Sequence, residues 1–279
     1  MNQNWIVENL NNAFATWNGK LAELWDLVTT SPATFKGGAV WGIMQTIHGA
    51  MLAIGYALVI LFFAMSLFKN TANFHELKRP EAALHYLIRF VAAKTAVGYG
   101  MEIMLNVFEV CNGIVSQMAS SMGGISQAMV SLPGEVQAAI ENVGFLASIP
   151  LWLVTILGSL FITVLSFLMI LTVYGRFFRL YMYTALAPIP LATFAGDSTQ
   201  SVGVAFLKTY VGVCMEGAVI VLACLIFSAF MSSGSPVLDT NLTPVVMAWQ
   251  YIAETIFNML VLAGLVKGAE RIVKELAGL

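Results

Sequence analysis

The sequence predicts an all-α, polytopic membrane protein with about five transmembrane helices, a Pro-broken re-entrant hairpin and an amphipathic N-terminal helix. Three observations lead there. The 279 residues are 59% hydrophobic and only 10% charged, against roughly 25% charged in soluble domains. Several charge-free runs are long enough to cross a bilayer, and one apolar stretch, RLYMYTALAPIPLATFAGD, carries Pro188 and Pro190 at its centre. Thirteen Lys plus Arg and fifteen Asp plus Glu are too few to coat a water-soluble particle of this size.

The net charge of −2 gives no basic footprint for direct nucleic-acid binding. Cys111, Cys214 and Cys224 lie in apolar segments without metal or redox spacing and read as packing residues. The opening residues MNQNWIVENL show no signal-peptide pattern, so insertion is expected to use internal spans.

Along residues 5–28, Ile6, Leu10, Phe14, Trp17, Leu21, Leu24 and Val28 recur at helical spacing with Asn, Glu, Lys and Asp opposite. This amphipathic helix suits the membrane interface, a partner subunit or an ordinary protein surface. SPATFKGG ends it. Residues 42–68 hold no formal charge and a lone His48, for which a solvated or helix-packing role is expected. At 1.5 Å per residue they reach about 40 Å, enough to span a core of roughly 30 Å with tilt.

Pro80 opens the next helix. Arg89, Lys94, Glu102 and Glu109 interrupt its apolar character. Glu102, Asn106 and Glu109 fall on one face, which reads either as a channel-lining or subunit-contact face or as a helix end outside the bilayer. Residues 120–148 are polar, with Pro133-Gly134 as a turn and GEVQAAIENVGFL as a short amphipathic helix. Further spans are expected at 149–174, 202–231 and about 245–266, the last two containing Lys208, Glu216 and Glu254. Lys208 and Glu216 are too far apart along the helix to pair directly.

Basic residues follow three spans: Lys69, Lys78 and Arg79; Arg176 and Arg179; Lys267, Arg271 and Lys274. The loops 116–148 and 232–244 have none. The positive-inside rule then places all three basic sets in the cytoplasm, the N-terminus outside and the C-terminus inside. On this assignment residues 180–196 must dip into the membrane and return, with the break at Pro188 and Pro190 and a turn at Gly196. A sixth crossing is the alternative. The resulting organisation is an external helix region (1–36), two spans with a basic loop (37–115), an external polar loop (116–148) and a membrane core with a basic tail (149–279).

The segment 176–231, with Arg176 and Arg179, Ala187-Pro188-Ile189-Pro190, Phe194-Ala195-Gly196 and Lys208, resembles the membrane core of the VirB6/TrbL family of conjugal transfer proteins, in particular TrbL-like members from Gram-positive elements. The resemblance implies an oligomeric component of a type IV secretion machine in the bacterial cytoplasmic membrane. Its implied partners are membrane lipid, further copies of itself, a VirB4-like ATPase, other secretion subunits and, transiently, relaxase-bound single-stranded DNA. Its implied role is to organise or form the conduit for DNA transfer.

No GxxxxGK[ST], HExxH, GxSxG or CxxC occurs, and His48, His75 and His85 do not cluster with carboxylates. Neither catalysis, a cofactor nor a metal is expected. Two alternatives remain open: a small-solute transporter with its site at the discontinuous helix, and a non-conducting membrane scaffold.

Overall fold

The computed structural model describes residues 4–70, 80–121, 129–233 and 243–278. Among them it contains helices and turns but no strand. The α-helices are α1 (Asn4–Thr29), α2 (Ala39–Asn70), α3 (Pro80–Gly98), α4 (Gly100–Ser121), α5 (Gly134–Glu141), α6 (Phe145–Leu186), α7 (Pro188–Ala192), α8 (Gln200–Ser233) and α9 (Pro244–Ala277).

Four helical stretches are long and apolar enough to cross a membrane: Phe35–Lys69, Ser148–Leu186, Gln200–Met231 and Val245–Ala277. The other expected span, from Pro80 onward, is instead two helices meeting at Tyr99. Glu81, Arg89 and Lys94 lie in the first and Glu102 and Glu109 in the second.

Packing divides the chain into two compact units, one of residues 1–29, 115–175 and 217–269, the other of 30–114, 176–216 and 270–279. In the first unit α1 is amphipathic as expected, but its stripe is neither laid on an interface nor left for a partner. Ile6, Leu10, Phe14, Trp17, Leu21, Leu24 and Val28 are all buried inside the chain. Trp5 meets Trp152, Phe14 meets the Tyr251 ring edge-on, and Asn9 donates to Ser159 Oγ at 3.1 Å. Helix α6 offers α1 a long apolar flank, and burying the stripe there satisfies it. The loop after the undescribed residues 122–128 is tied down as well: Asn18 exchanges hydrogen bonds with the Val130 backbone, and Tyr251 donates to the Ser131 carbonyl. The short helix expected beyond Pro133 is α5, with Val136, Ala139 and Ile140 inward.

The second unit has α2 at its centre. Helix α3 runs antiparallel to it, with Phe63 and Phe90 ring centroids 4.8 Å apart near one end and Gly98 beside Tyr56 further along. Cys111 and Cys214 are buried in this core and Cys224 in helix α8; all three thiols are free.

Candidate functional site

At Pro188 the helix is interrupted without reversing the chain: α6 ends at Leu186 and a separate short helix begins at Pro188. Ala187 keeps right-handed helical angles, φ −49° and ψ −37°, and Pro188 begins α7. A proline at the first helical position lacks only an N–H that has no intrahelical partner anyway. Its steric bias against helix at the preceding residue is overridden by packing. The chain reverses later, after a 3-10 turn over Thr193–Ala195, where Gly196 becomes extended at φ −113° and ψ 140°. Thr199 closes the turn by donating to the Thr193 carbonyl at 2.7 Å. The arms of the hairpin are therefore the end of α6 and the start of α8, and residues 187–199 are its tip.

This tip is seated along α2. His48 is buried and its Nδ1 donates to the Thr184 carbonyl at 2.8 Å, the helix-packing role expected of it. Pro188 lies against Gly55 and Gly196 against Phe62, and Ser66 donates to Asp197 Oδ2 at 3.1 Å. Arg89 of α3 pairs with Asp197 and donates to Gln200 at 2.6 Å, fastening the far end. The seat is made by glycines. A Cβ on Gly55 would stand 2.9 Å from Pro188 Cβ, one on Gly100 3.1 Å from Leu191, and one on Gly203 2.8 Å from Thr193 Oγ1. Small residues on three neighbouring helices let the tip approach their backbones closely.

The arms are clamped at the other end by Arg176 and Arg179. Arg176 is 1% exposed; it donates to the carbonyls of Val213 and Cys214 and lies 5.6 Å from the Phe108 ring centroid. Arg179 bridges Glu216 at 2.7 Å and also pairs with Glu270, which Lys274 contacts at 2.7 Å. Both arginines were expected as cytoplasmic basic anchors. Here Arg176 is packed inside the chain and Arg179 is held by two carboxylates.

Glu102, Asn106 and Glu109 are exposed together on α4, while Met104, Phe108 and Cys111 on its opposite side are buried. Tyr210 of α8 donates to the Met104 carbonyl at 2.8 Å, so the face is held rigidly. Lys208 is exposed and Glu254 partly buried; Lys267 and Arg271 are exposed, Arg271 pairing with Glu275. Lys78 and Arg79 lie outside the described residues. Among the described residues no group of His, Cys, Asp and Glu could hold a metal ion.

Sequence reasoning missed the glycine seat and the Arg89–Asp197 fastening. The paired glycines of Gly98-Tyr99-Gly100 were the one visible hint.

No curated protein and no solved structure matches the chain. Residues 17–188 match the family described as TrbL/VirB6 plasmid conjugal transfer like protein. The match runs from the second half of α1 through α6 and ends at the first proline of the tip. With long apolar helices on the page and the matched region covering most of the chain, the protein belongs to the TrbL/VirB6 family of conjugal transfer proteins, the membrane components of type IV secretion machines.

Proposed function

We propose that the protein is a conduit subunit of a type IV secretion machine in the bacterial cytoplasmic membrane, assembling as several copies with a VirB4-like ATPase and other secretion subunits. The Gram-positive branch remains an expectation from the layout of residues 176–231. The observation that carries the conduit role is the exposed polar face of Glu102, Asn106 and Glu109, on the side of α4 away from the buried Met104, Phe108 and Cys111, because carboxylates facing lipid are costly and mark aqueous paths. Replacing both glutamates with leucine is expected to leave membrane insertion intact while lowering DNA transfer in a mating assay to that of cells lacking the protein. Normal transfer at a normal protein level would remove this face from the mechanism.

Our reading of the orientation rests on the second unit. Arg179, five residues before the Thr184 that meets His48, shares Glu270 with Lys274. Lys69 stands beyond Ser66, at the other end of α2. The helix from His48 to Ser66 covers about 27 Å at 1.5 Å per residue, close to a hydrocarbon core of roughly 30 Å. If α2 crosses, Lys69 and Lys274 face opposite compartments, which departs from the charge-based expectation that all three basic sets share one side. We place Lys69 in the cytoplasm, because it continues into a short loop rich in basic residues, and the tip beside α2 within the bilayer. In a cysteine-free background, Lys69→Cys and Asp197→Cys should resist an impermeant maleimide added outside, and Lys274→Cys should react. Protection of all three would restore the charge-based orientation.

A further inference from the structure

Helices α4 and α8 pack together inside the second unit, and each brings one cysteine to the contact. Tyr210 of α8 donates to the Met104 carbonyl of α4 at 2.8 Å. Further along both helices, Cys111 and Cys214 are buried in the same core, and their thiols are hydrogen bonded to each other. Arg176 closes the group from α6. It donates to the Cys214 carbonyl at 3.1 Å, lies 5.6 Å from the Phe108 ring centroid, and its charge acts on both sulfurs.

Two cysteines far apart in sequence are thus in contact, and packing alone asks for no such meeting of thiols. Any pair of small apolar side chains would fill the same space. Only thiols can also lose two hydrogens and join at an S–S length of about 2.05 Å. The third cysteine, Cys224, stands ten residues beyond Cys214 on α8, about 15 Å away at 1.5 Å per residue. It cannot take part.

Position along the membrane decides whether an oxidant is at hand. With Lys69 in the cytoplasm, the start of α2 is its outer end. Arg176 lies about two turns before the Thr184 that meets His48, and its neighbour Phe177 stacks on Phe35, in the turn that leads into α2, with ring centroids 4.1 Å apart. The dithiol therefore sits toward the outer side, where disulfides form and persist.

We propose that Cys111 and Cys214 are a modification site, joined in cells by a disulfide that ties α4 to the α8 arm of the hairpin. This rests on the orientation reading above. The oxidant is the disulfide of a thiol–disulfide oxidoreductase, which reaches Cys111 before α8 has closed over it. The Cys111 thiolate, supported by the Arg176 guanidinium, attacks one donor sulfur, so that a mixed disulfide forms and the donor's own bond breaks. Cys214 then gives its proton to the released donor thiolate and attacks the Cys111 sulfur, expelling the second donor sulfur, which takes a proton from water. Two electrons and two protons leave the chain, and the donor ends as a dithiol.

Thiol counting on the full chain tests this. Cells are quenched in acid, and the protein is denatured in detergent and alkylated with a polyethylene-glycol maleimide, with or without prior reduction. The parent protein is expected to add one label before reduction, at Cys224, and three after it. Cys111→Ser and Cys214→Ser should each add two labels whether reduced or not, and Cys224→Ser none before reduction and two after. Three labels on the unreduced parent, or a count that still rises on reduction in Cys111→Ser, would overturn the proposal. The orientation reading fails separately, through protection of Lys274→Cys in the background without native cysteines, where the pair is absent.

Discussion

Arg179→Leu should destabilise the protein by about 3–5 kcal/mol, the cost of removing one partner from a buried ion pair. Glu216, with only 5% of its side chain exposed, would keep its carboxylate without the guanidinium that now lies 2.7 Å away. Glu270 would lose its bridge as well, but it stays in contact with Lys274 and is 42% exposed, so water takes over most of that role. A total stability on the order of 5–15 kcal/mol leaves little margin for such a loss. Thermal unfolding of the detergent-solubilised protein, followed by size-exclusion chromatography, measures it. The double variant Arg179→Leu/Glu216→Leu should recover most of the difference, because it leaves no unpaired carboxylate behind. A single variant as stable as the parent would show that Glu216 is solvated or neutral and that the arms of the hairpin do not depend on this bridge.

Such a bridge shows what a sequence makes legible. Helical periodicity marked the whole buried stripe of α1, from Ile6 to Val28, since a period near 3.6 reports directly which side chains share a face. It did not say what would cover that face, and the covering surface turned out to be the chain's own α6. Charge counting noted Arg176 and Arg179 at the end of a span but said nothing of what they contact. Their partners are the Val213 and Cys214 carbonyls and Glu216, some forty positions away, and no local pattern announces a contact across a hairpin. Pro188 and Pro190 drew attention to the right segment for a reason only partly right. Proline chemistry predicts a missing N–H and a biased neighbour; the reversal itself falls at Gly196, the turn named from the sequence, and is closed by the Thr199 hydroxyl, which no local pattern marked. The face of Glu102, Asn106 and Glu109 was visible from spacing.

The tip is the part most sensitive to a single added atom group. At Gly55 a Cβ would sit 2.9 Å from Pro188 Cβ and 3.0 Å from both the Pro188 carbonyl oxygen and Val97 Cγ1. One of these is backbone and another belongs to a rigid ring, so no rotamer change makes room. Gly55→Ala is therefore expected to cost about 1–3 kcal/mol through overpacking, and Gly55→Leu more. Gly49→Ala, one and a half turns earlier on the same helix with nothing within 4 Å, is the matched control: it should be neutral or gain up to about 1 kcal/mol in helix propensity. Because α2, α3 and the tip meet at Gly55, the leucine variant should also release the Ser66 and Arg89 contacts to Asp197 that fasten the far end. Asp197→Cys combined with Gly55→Leu would then react faster with maleimide in detergent than Asp197→Cys alone. Equal melting temperatures for the alanine variants at 49 and 55, with equal Asp197→Cys reactivity, would mean that the tip is loosely held. In that case the glycines of α2, α4 and α8 are not what seats it.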